Sequence, residues 1–318
     1  MVFSDEVIRK VKGSDVRIVF PEAFEPRIKR AVEIIASKHI ARPILLFKKD
    51  EEKYKVKGAE SFTITDFTSL DDWIYDYYQE RKKKYPNISI EEVKKQVMEP
   101  HYIGALLVKH RIADAMISGV TQEYKPFLPA FRVIGVKPSY SLASSFFLME
   151  RDNKEFLFAD CAVNINPSPE QLVEIALQTA NTAIRLGMEP RVAMLSYSTY
   201  GSGKGEPADK VRKAVKIIRS RGTRLMIDGE LQVDTALVEE VARIKAPDSS
   251  VAGKANVLIF PDLNAGNIGY KLVERLAGFN ALGPVLQGLN AWISDLSRGA
   301  SIDSIVRTTA LISLLVRS

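Results

Sequence analysis

The feature that most constrains this chain is a repeated handover from short apolar runs to longer amphipathic ones. RIVF at 17–20 passes through the turn PEAFEP into the helical pattern RIKRAVEIIASK. PILLF (43–47) and SFTITD (61–66) read as further strands. Helical stretches over Asp71–Lys84 and Ser89–His110 then precede the buried strand ADAMISG (113–119). Short apolar runs without alternation fit strands covered on both faces, and their regular exchange with helices builds a mostly parallel sheet between helical layers.

A second series begins near Ser141. SLASSFFLME and EFLFADCAV flank the polar turn RDNK and predict a hairpin. In NPSPEQLVEIALQTANTAIRLG, Ser168 and Gln171 fit a capping box, Pro169 the first helical turn and Gly187 the stop. Then come the strand RVAMLSYST, the loop YGSGKGEP, the helix DKVRKAVKIIRSRG and the strand RLMIDGE. The helix TALVEEVARIKA, the strand NVLIFPD, the helix NIGYKLVERLAG and a last helix IDSIVRTTALISLLV follow. A chain of 318 residues exceeds one ordinary core, so two domains are expected, with a boundary near Gly135–Ser141.

Composition narrows the function classes. The start MVFSDEVIRKVKG carries early acids and no apolar core, so no signal peptide is expected. No apolar run reaches the ~18 residues that cross a bilayer. The single cysteine, Cys161, suits a reducing cytoplasm and reads as a buried core thiol. His39, His101 and His110 lack ligand-like spacing, so no metal site is expected. The net charge of +6 admits phosphorylated small molecules as well as nucleic acid or membrane. The densest basic run, Arg81–Tyr85, closes an amphipathic helix, where cations suit the macrodipole, and no nucleic-acid motif accompanies it.

In open α/β sheets ligands collect beyond the carboxyl ends of strands, where helix N-termini attract anions. Four loops qualify: 198–207 (STYGSGKGEP), 227–234 (IDGELQVD), 260–271 (FPDLNAGNIGYK) and 293–301 (ISDLSRGAS). GSGKG lacks P-loop spacing and is either a phosphate cradle or a structural turn. In DLSRGAS, Arg298 offers a fork of donors and Ser297 a hydroxyl. The structural alternative has Ser301 capping the helix, Asp303 in its first turn and Arg298 paired with a carboxylate. Asn264 and Asn267 flank Gly266 in a turn where backbone approaches a ligand or the asparagines satisfy the turn itself. Arg27 contacts a ligand or pairs with Glu22.

Together these strings place the chain in sight of a known family. FPEAFEPR, DAMISG, SSFFLM, FADCAVNINPSPEQLVEIA, VAMLSYSTYGSGKG, DGELQVD, KAPDSSVAGKANVLIFPDLNAGNIGYK, GPVLQG and DLSRG occur in order, densest from Phe158 to Gly299. The chain resembles the phosphate acetyltransferase / phosphate butyryltransferase family. The resemblance implies two α/β domains of the isocitrate/isopropylmalate dehydrogenase-like kind, with mostly parallel sheets and an active-site cleft between them. It implies a first domain of 1–139 plus 289–318 and a second of 140–288. It also implies conversion of acetyl-CoA and phosphate to acetyl phosphate and CoA by direct attack, no cofactor beyond those substrates, and a cytoplasmic homodimer that binds neither nucleic acid nor membrane.

Carried over by position, the resemblance assigns Ser297 and Arg298 to the thiol and the phosphate, with Asp303 as the nearby acid. It assigns Arg81, Ser198, Thr199, Gly201, Ser202, Gly203, Asn264, Gly266 and Gln287 to binding CoA or phosphate. The reaction needs a CoA thiolate and donors for a developing oxyanion, and arginines that hold phosphate supply proximity. Three positions depart from the family. Ser304 stands where an acid seven residues after the serine is usual, and on a helix one step from Asp303 turns a side chain by ~100°. Gln122 and Leu128 replace a histidine and an arginine, with Arg132 or Lys125 nearby, and Ala291–Trp292 replace a lysine–proline pair. Two other readings therefore stand beside the acetyltransferase. One is a weak or inactive homologue binding CoA or a partner protein, and the other acts on a longer acyl-CoA such as butyryl-CoA.

Overall fold

The computed structural model describes residues 2–50, 53–121 and 127–318. After a first helix, α1 (Phe3–Val11), the expected alternation appears. It runs β1 (Arg17–Phe20), α2 (Pro26–Ser37), β2 (Arg42–Phe47), β3 (Glu60–Thr63), α3 (Leu70–Lys84), α4 (Ile90–Val97), α5 (Pro100–Lys109) and β4 (Ala115–Ser118). A short α6 (Phe127–Pro129) continues as a π-helical turn over Ala130–Ile134.

Next come β5 (Ser144–Arg151), β6 (Lys154–Ala159), α7 (Pro169–Arg185), β7 (Arg191–Leu195), α8 (Glu206–Ser220) and β8 (Met226–Leu231). They are followed by α9 (Val233–Leu237), α10 (Glu239–Lys245), β9 (Val257–Ile259), α11 (Leu263–Ala277) and β10 (Asn280–Gln287). The chain closes with β11 (Trp292–Asp295) and α12 (Ile302–Arg317).

Two units result. The first holds Val7–Gly135 and Leu289–Arg317; the second holds Val136–Gly288 with the chain's first residues through Glu6 and Ser318. In the first unit the strand order is β3-β2-β1-β4-β11, parallel throughout. Ile18, Val19, Phe20, Met116 and Ile117 are fully buried, as continuous apolar strands between helices must be. In the second unit the order is β10-β5-β6-β9-β7-β8. Its β6, β9, β7 and β8 are parallel, while β5 pairs antiparallel with β6 and β10. The β5–β6 hairpin is the one RDNK predicts, and Asp152 takes its turn at φ +54°.

Helix α7 carries the predicted capping box. Gln171 N–H donates to the Ser168 hydroxyl at 3.2 Å, and Ser168 N–H donates to the Gln171 side chain at 2.8 Å, an arrangement whose loss costs about 1 kcal/mol.

Several expectations need correction. The stretch Ser89–His110 is two helices, because Pro100 has no N–H to continue the first and instead opens α5. SFTITD leaves the sheet after Thr63, whose N–H donates to Asp66 at 2.8 Å and turns Ile64–Asp66 into a 3-10 helix. TALVEEVARIKA divides at the extended Val238, since the Thr235 and Ala236 carbonyls accept from Gly253 and Ala255 instead of from the next helical turn. Helix α11 begins at Leu263, so Asn264, Gly266 and Asn267 lie on a helix and not in a turn before it. The strand β10 was unforeseen, and ISD of the supposed loop 293–301 belongs to β11.

Candidate functional site

Because β1, β4 and β11 are adjacent and parallel, their carboxyl ends deliver three loops to one edge of the first unit. Glu22 follows β1 and is almost fully buried. Its carboxylate accepts the backbone N–H groups of Gly119, Val120 and Thr121 at 2.7, 2.9 and 2.9 Å, together with the Thr121 hydroxyl. Gly119 is required there: at φ +104°, a Cβ would sit 2.2 Å from Asp295 Oδ1 and 2.5 Å from the Leu296 carbonyl. Asp295, at the end of β11, has a carboxyl pushed up to about 7, first by burial and then by the Glu22 charge.

Arg27, in the first turn of α2, does not pair with Glu22. Its Nε donates to Glu25 at 2.7 Å, and Nη1 donates to the carbonyls of Arg298 (2.8 Å) and Ala300 (3.1 Å). Nη2 reaches the Val120 carbonyl at 3.3 Å. The guanidinium therefore staples the SRG loop to the β4 loop.

So held, Ser297 and Arg298 are exposed, and Arg298 forms no ion pair among the described residues. That removes the alternative in which a carboxylate occupies it. The capping part of that alternative does occur: Ser304 N–H donates to the Ser301 hydroxyl at 3.1 Å. Asp303 is bound to Arg307 at 2.6 Å, one turn along α12, which leaves its carboxylate engaged on the helix surface. Ser304 itself is half-buried. Arg81 lies in the last turn of α3 with its guanidinium 4.2 Å from the Tyr85 ring centroid, and its Nε is buried with no hydrogen-bond partner. Leu128 is 40% exposed on α6, while Gln122 and Lys125 lie outside the described residues.

In the second unit the carboxyl ends of β6, β9, β7 and β8 also share an edge. The GSGKG loop after β7 is organised by Glu230, which is 1% exposed. Glu230 Oε1 accepts from Gly201 N–H (2.7 Å), the Ser198 hydroxyl (2.8 Å) and Arg212 Nη1 (2.9 Å). Burial pushes this carboxyl up, but these bonds together outweigh burial and hold it below the usual range.

Further loop donors are also spent internally. Gly203 N–H donates to Ser198 and Thr199 N–H to Ser202. Ser198 and Thr199 are buried and shape the loop, whereas Gly201 and Ser202 face solvent.

Asp262 caps α11 by accepting Ala265 N–H at 2.9 Å, which leaves Asn264 exposed in the first turn. Gly266 is buried against β6, where a Cβ would meet the Asp160 carbonyl at 2.3 Å. The close approach at this glycine is to the backbone that follows β6. Asn267 Nδ2 donates to the Cys161 carbonyl at 3.1 Å. Gln287 is likewise interior: its amide donates to Ser144 (2.9 Å) and Thr179 (2.7 Å) and accepts from Thr182 (2.8 Å). Cys161 is a buried thiol pushed well up by burial.

The residues that sequence reasoning missed are acids, three of them buried and Asp295 half-buried. Glu22, Asp160, Glu230 and Asp295 each terminate or follow a parallel strand, the signal that could have found them. Asp160 accepts the N–H groups of Ala162, Val163 and Asn164 and shapes the loop after β6. Among the described residues no group of three His, Cys, Asp or Glu is placed to hold a metal ion, and no helix is long and apolar enough to cross a membrane.

Comparison with known proteins gives a consistent answer. The family described as phosphate acetyl/butaryl transferase matches residues 2–313. The phosphate acetyltransferase of Thermoanaerobacterium thermosaccharolyticum is 46% identical over 323 residues, 98% of each chain. That of Bacillus subtilis is 40% identical over 94% of each. The crystal structure of a phosphotransacetylase from Streptococcus pyogenes superposes with a TM-score of 0.90 at 38% identity, covering 99% of this chain and 98% of that one.

Proposed function

We infer the activity from one premise: the chain belongs to the phosphate acetyl/butaryl transferase family. It transfers an acetyl group between coenzyme A and inorganic phosphate, so that acetyl-CoA and phosphate give acetyl phosphate and CoA. A phosphate oxygen attacks the thioester carbonyl, the C–S bond breaks, and the sulfur leaves as a thiolate that takes up the proton given up by the attacking phosphate. A longer acyl group and a non-catalytic binding role are not favoured, since the relatives at 40–46% identity are phosphate acetyltransferases.

The observation that carries this reading is the Leu296–Ala300 loop, stapled through its carbonyls by Arg27 so that Ser297 and Arg298 stay exposed. The Arg298 fork holds phosphate, and the Ser297 hydroxyl donates to the sulfur as negative charge develops. Exposed Gly201, Ser202 and Asn264 contact CoA, while Ser198, Thr199, Gly203, Gly266 and Gln287 support the framework. Asp303, tied to Arg307, serves as the first-turn acid of α12 and not as the proton acceptor. Arginine and hydroxyl donors carry the charge, with no cofactor beyond the substrates. The expected setting is the cytoplasm. A homodimer is proposed with it, because α11 exposes Ile268, Leu272 and Leu276 along one face at 57%, 52% and 83%.

Thiol release from acetyl-CoA on addition of phosphate tests the activity. Arg298→Ala is expected to lower kcat/KM by about 100-fold or more, as loss of a transition-state donor does. An unaffected variant removes Arg298 from the mechanism.

A further inference from the structure

Acetyl transfer moves a proton as well as an acyl group, and the acids around the SRG loop differ in whether they are free to carry it. Asp303 is bonded to Arg307 at 2.6 Å and Glu25 to Arg27 at 2.7 Å. Glu22 is filled by three backbone N–H groups and the Thr121 hydroxyl. The half-buried Asp295 carboxyl forms neither a hydrogen bond nor an ion pair among the described residues.

Its position is nevertheless fixed. Asp295 is the last residue of β11 and lies two positions before Ser297. The next N–H, of Leu296, donates to the Ser118 carbonyl at 2.6 Å and anchors the strand end from which the SRG loop leaves. Asp295 Oδ1 occupies the space that a Cβ at position 119 would need. Ser118 is the register partner of Asp295, so both side chains leave the sheet on one face. The Ser118 hydroxyl is fully buried and has no hydrogen-bond partner either. A carboxylate that served only the fold would be bonded as Glu22 is, because an unbonded charge out of water costs stability.

The surroundings also poise the group. Burial and then the Glu22 charge push its carboxyl up to about 7. Cations on the neighbouring elements are engaged elsewhere: Arg27 of α2 with Glu25 and loop carbonyls, and Arg307 of α12 with Asp303. On α5, burial lowers the pKa of His101 and keeps it neutral, and Arg298 on the loop forms no ion pair with Asp295. An acid that titrates near neutrality gives and takes a proton at little cost.

We propose that Asp295 is the general acid–base of acetyl transfer, moving the proton between the attacking phosphate and the departing sulfur. Toward acetyl phosphate, the protonated carboxyl gives its proton to the sulfur as the C–S bond breaks. The carboxylate left behind takes the proton that the phosphate gives up. In reverse, the carboxylate takes the thiol proton as sulfur attacks the acetyl carbonyl, the C–O bond breaks, and phosphate leaves with that proton. The proposal rests on the acetyltransferase reading for its substrates.

The test follows acetyl-CoA formation from acetyl phosphate and CoA by the full-length chain between about pH 5.5 and 9. Wild-type kcat should rise with pH and level off above about 7. Asp295→Asn should fold and lower kcat about 100-fold or more. Its remaining rate should keep climbing toward the ionisation of a free thiol, at about 8.5, because solvent must then remove the proton. Asp295→Glu should restore the levelling profile at an intermediate rate. A purely structural role would lower the rate without changing the shape of the profile.

A kcat within about threefold of wild type in Asp295→Asn, or an unmoved plateau in that variant, overturns the proposal. So does transfer of both effects to Asp303→Asn. If Asp295→Asn does not fold, the wild-type profile decides: no inflection near 7 refutes the role. No turnover by wild type in either direction overturns the acetyltransferase reading itself, whereas normal turnover with an unaffected Asp295→Asn overturns only the assignment of Asp295.

Discussion

Replacing Arg27 with methionine keeps the aliphatic stem and removes every bond that the guanidinium makes. Those bonds are to Glu25 at 2.7 Å and to the carbonyls of Arg298, Ala300 and Val120 at 2.8, 3.1 and 3.3 Å. The three carbonyl bonds hold the SRG loop, and each contributes about 1 kcal/mol net. The side chain is 32% exposed, so water replaces part of this. A loss of about 1.5–3 kcal/mol in loop order is therefore reasonable.

If the loop is competent only in the stapled geometry, that loss lowers kcat/KM about 10–100-fold. The assay is kcat/KM for acetyl-CoA at saturating phosphate, with the melting temperature measured alongside. Arg27→Lys keeps the charge but not the fork, and should behave more like methionine than like arginine. A kcat/KM within twofold of wild type in a folded Arg27→Met refutes the stapling argument. A large drop in melting temperature with full activity also refutes it, because the bonds would then serve the fold and not the loop.

The remaining expectations concern Asp295, Glu230 and one glycine. Asp295 has a folded pKa of about 7 against an ordinary 3.8, so between these values the folded chain holds a proton that the unfolded chain has lost. Its contribution to stability therefore falls as pH rises through that window. Asp295→Asn should leave the melting temperature at pH 4 nearly unchanged and raise it by a few degrees at pH 8, a gain on the order of 1–2 kcal/mol; the opposite trend contradicts the assignment. Glu230 is held below its ordinary 4.5, so its stabilisation is present above that value and lost as pH falls through the depressed folded pKa. Glu230→Gln should destabilise the chain by about 1–3 kcal/mol at pH 7 and expose 198–205 to limited proteolysis, and a protease-resistant loop argues against its organising role. Gly266→Ala places a Cβ 2.3 Å from backbone and should cost about 3 kcal/mol or more; an unchanged denaturation midpoint would show that α11 shifts freely.

Most of the fold was legible because the first unit obeys simple rules. RIVF, RPILLF and AMIS each carry an unbroken apolar run, and strands covered on both faces suit them. β10 escaped notice because Gly283 and Pro284 interrupt its apolar run. The strand absorbs them with a register shift between Leu282 and Val285. The helical start of α11 was hidden by its asparagines and glycine, and is decided by the Asp262 cap and by Gly266 packing on Asp160.

The site was legible where it depends on residue type and less so where it depends on distant pairing. Ser297 and Arg298 stand out in the sequence, whereas the Glu22 bonds join residues 97–99 apart in the chain, a relation that no local pattern contains. The same holds for Arg132 and Tyr102, which meet only after α5 and the π-helical turn pack together.

The central claim is acetyl transfer between CoA and phosphate through the SRG loop, and the most direct measurement is thiol release from acetyl-CoA by the purified full-length chain, with and without phosphate. The account predicts phosphate-dependent release accompanied by equimolar acetyl phosphate, with kcat/KM lowered about 100-fold or more in Arg298→Ala. Release that does not depend on phosphate, or no release with acetyl-CoA at saturating phosphate, contradicts it.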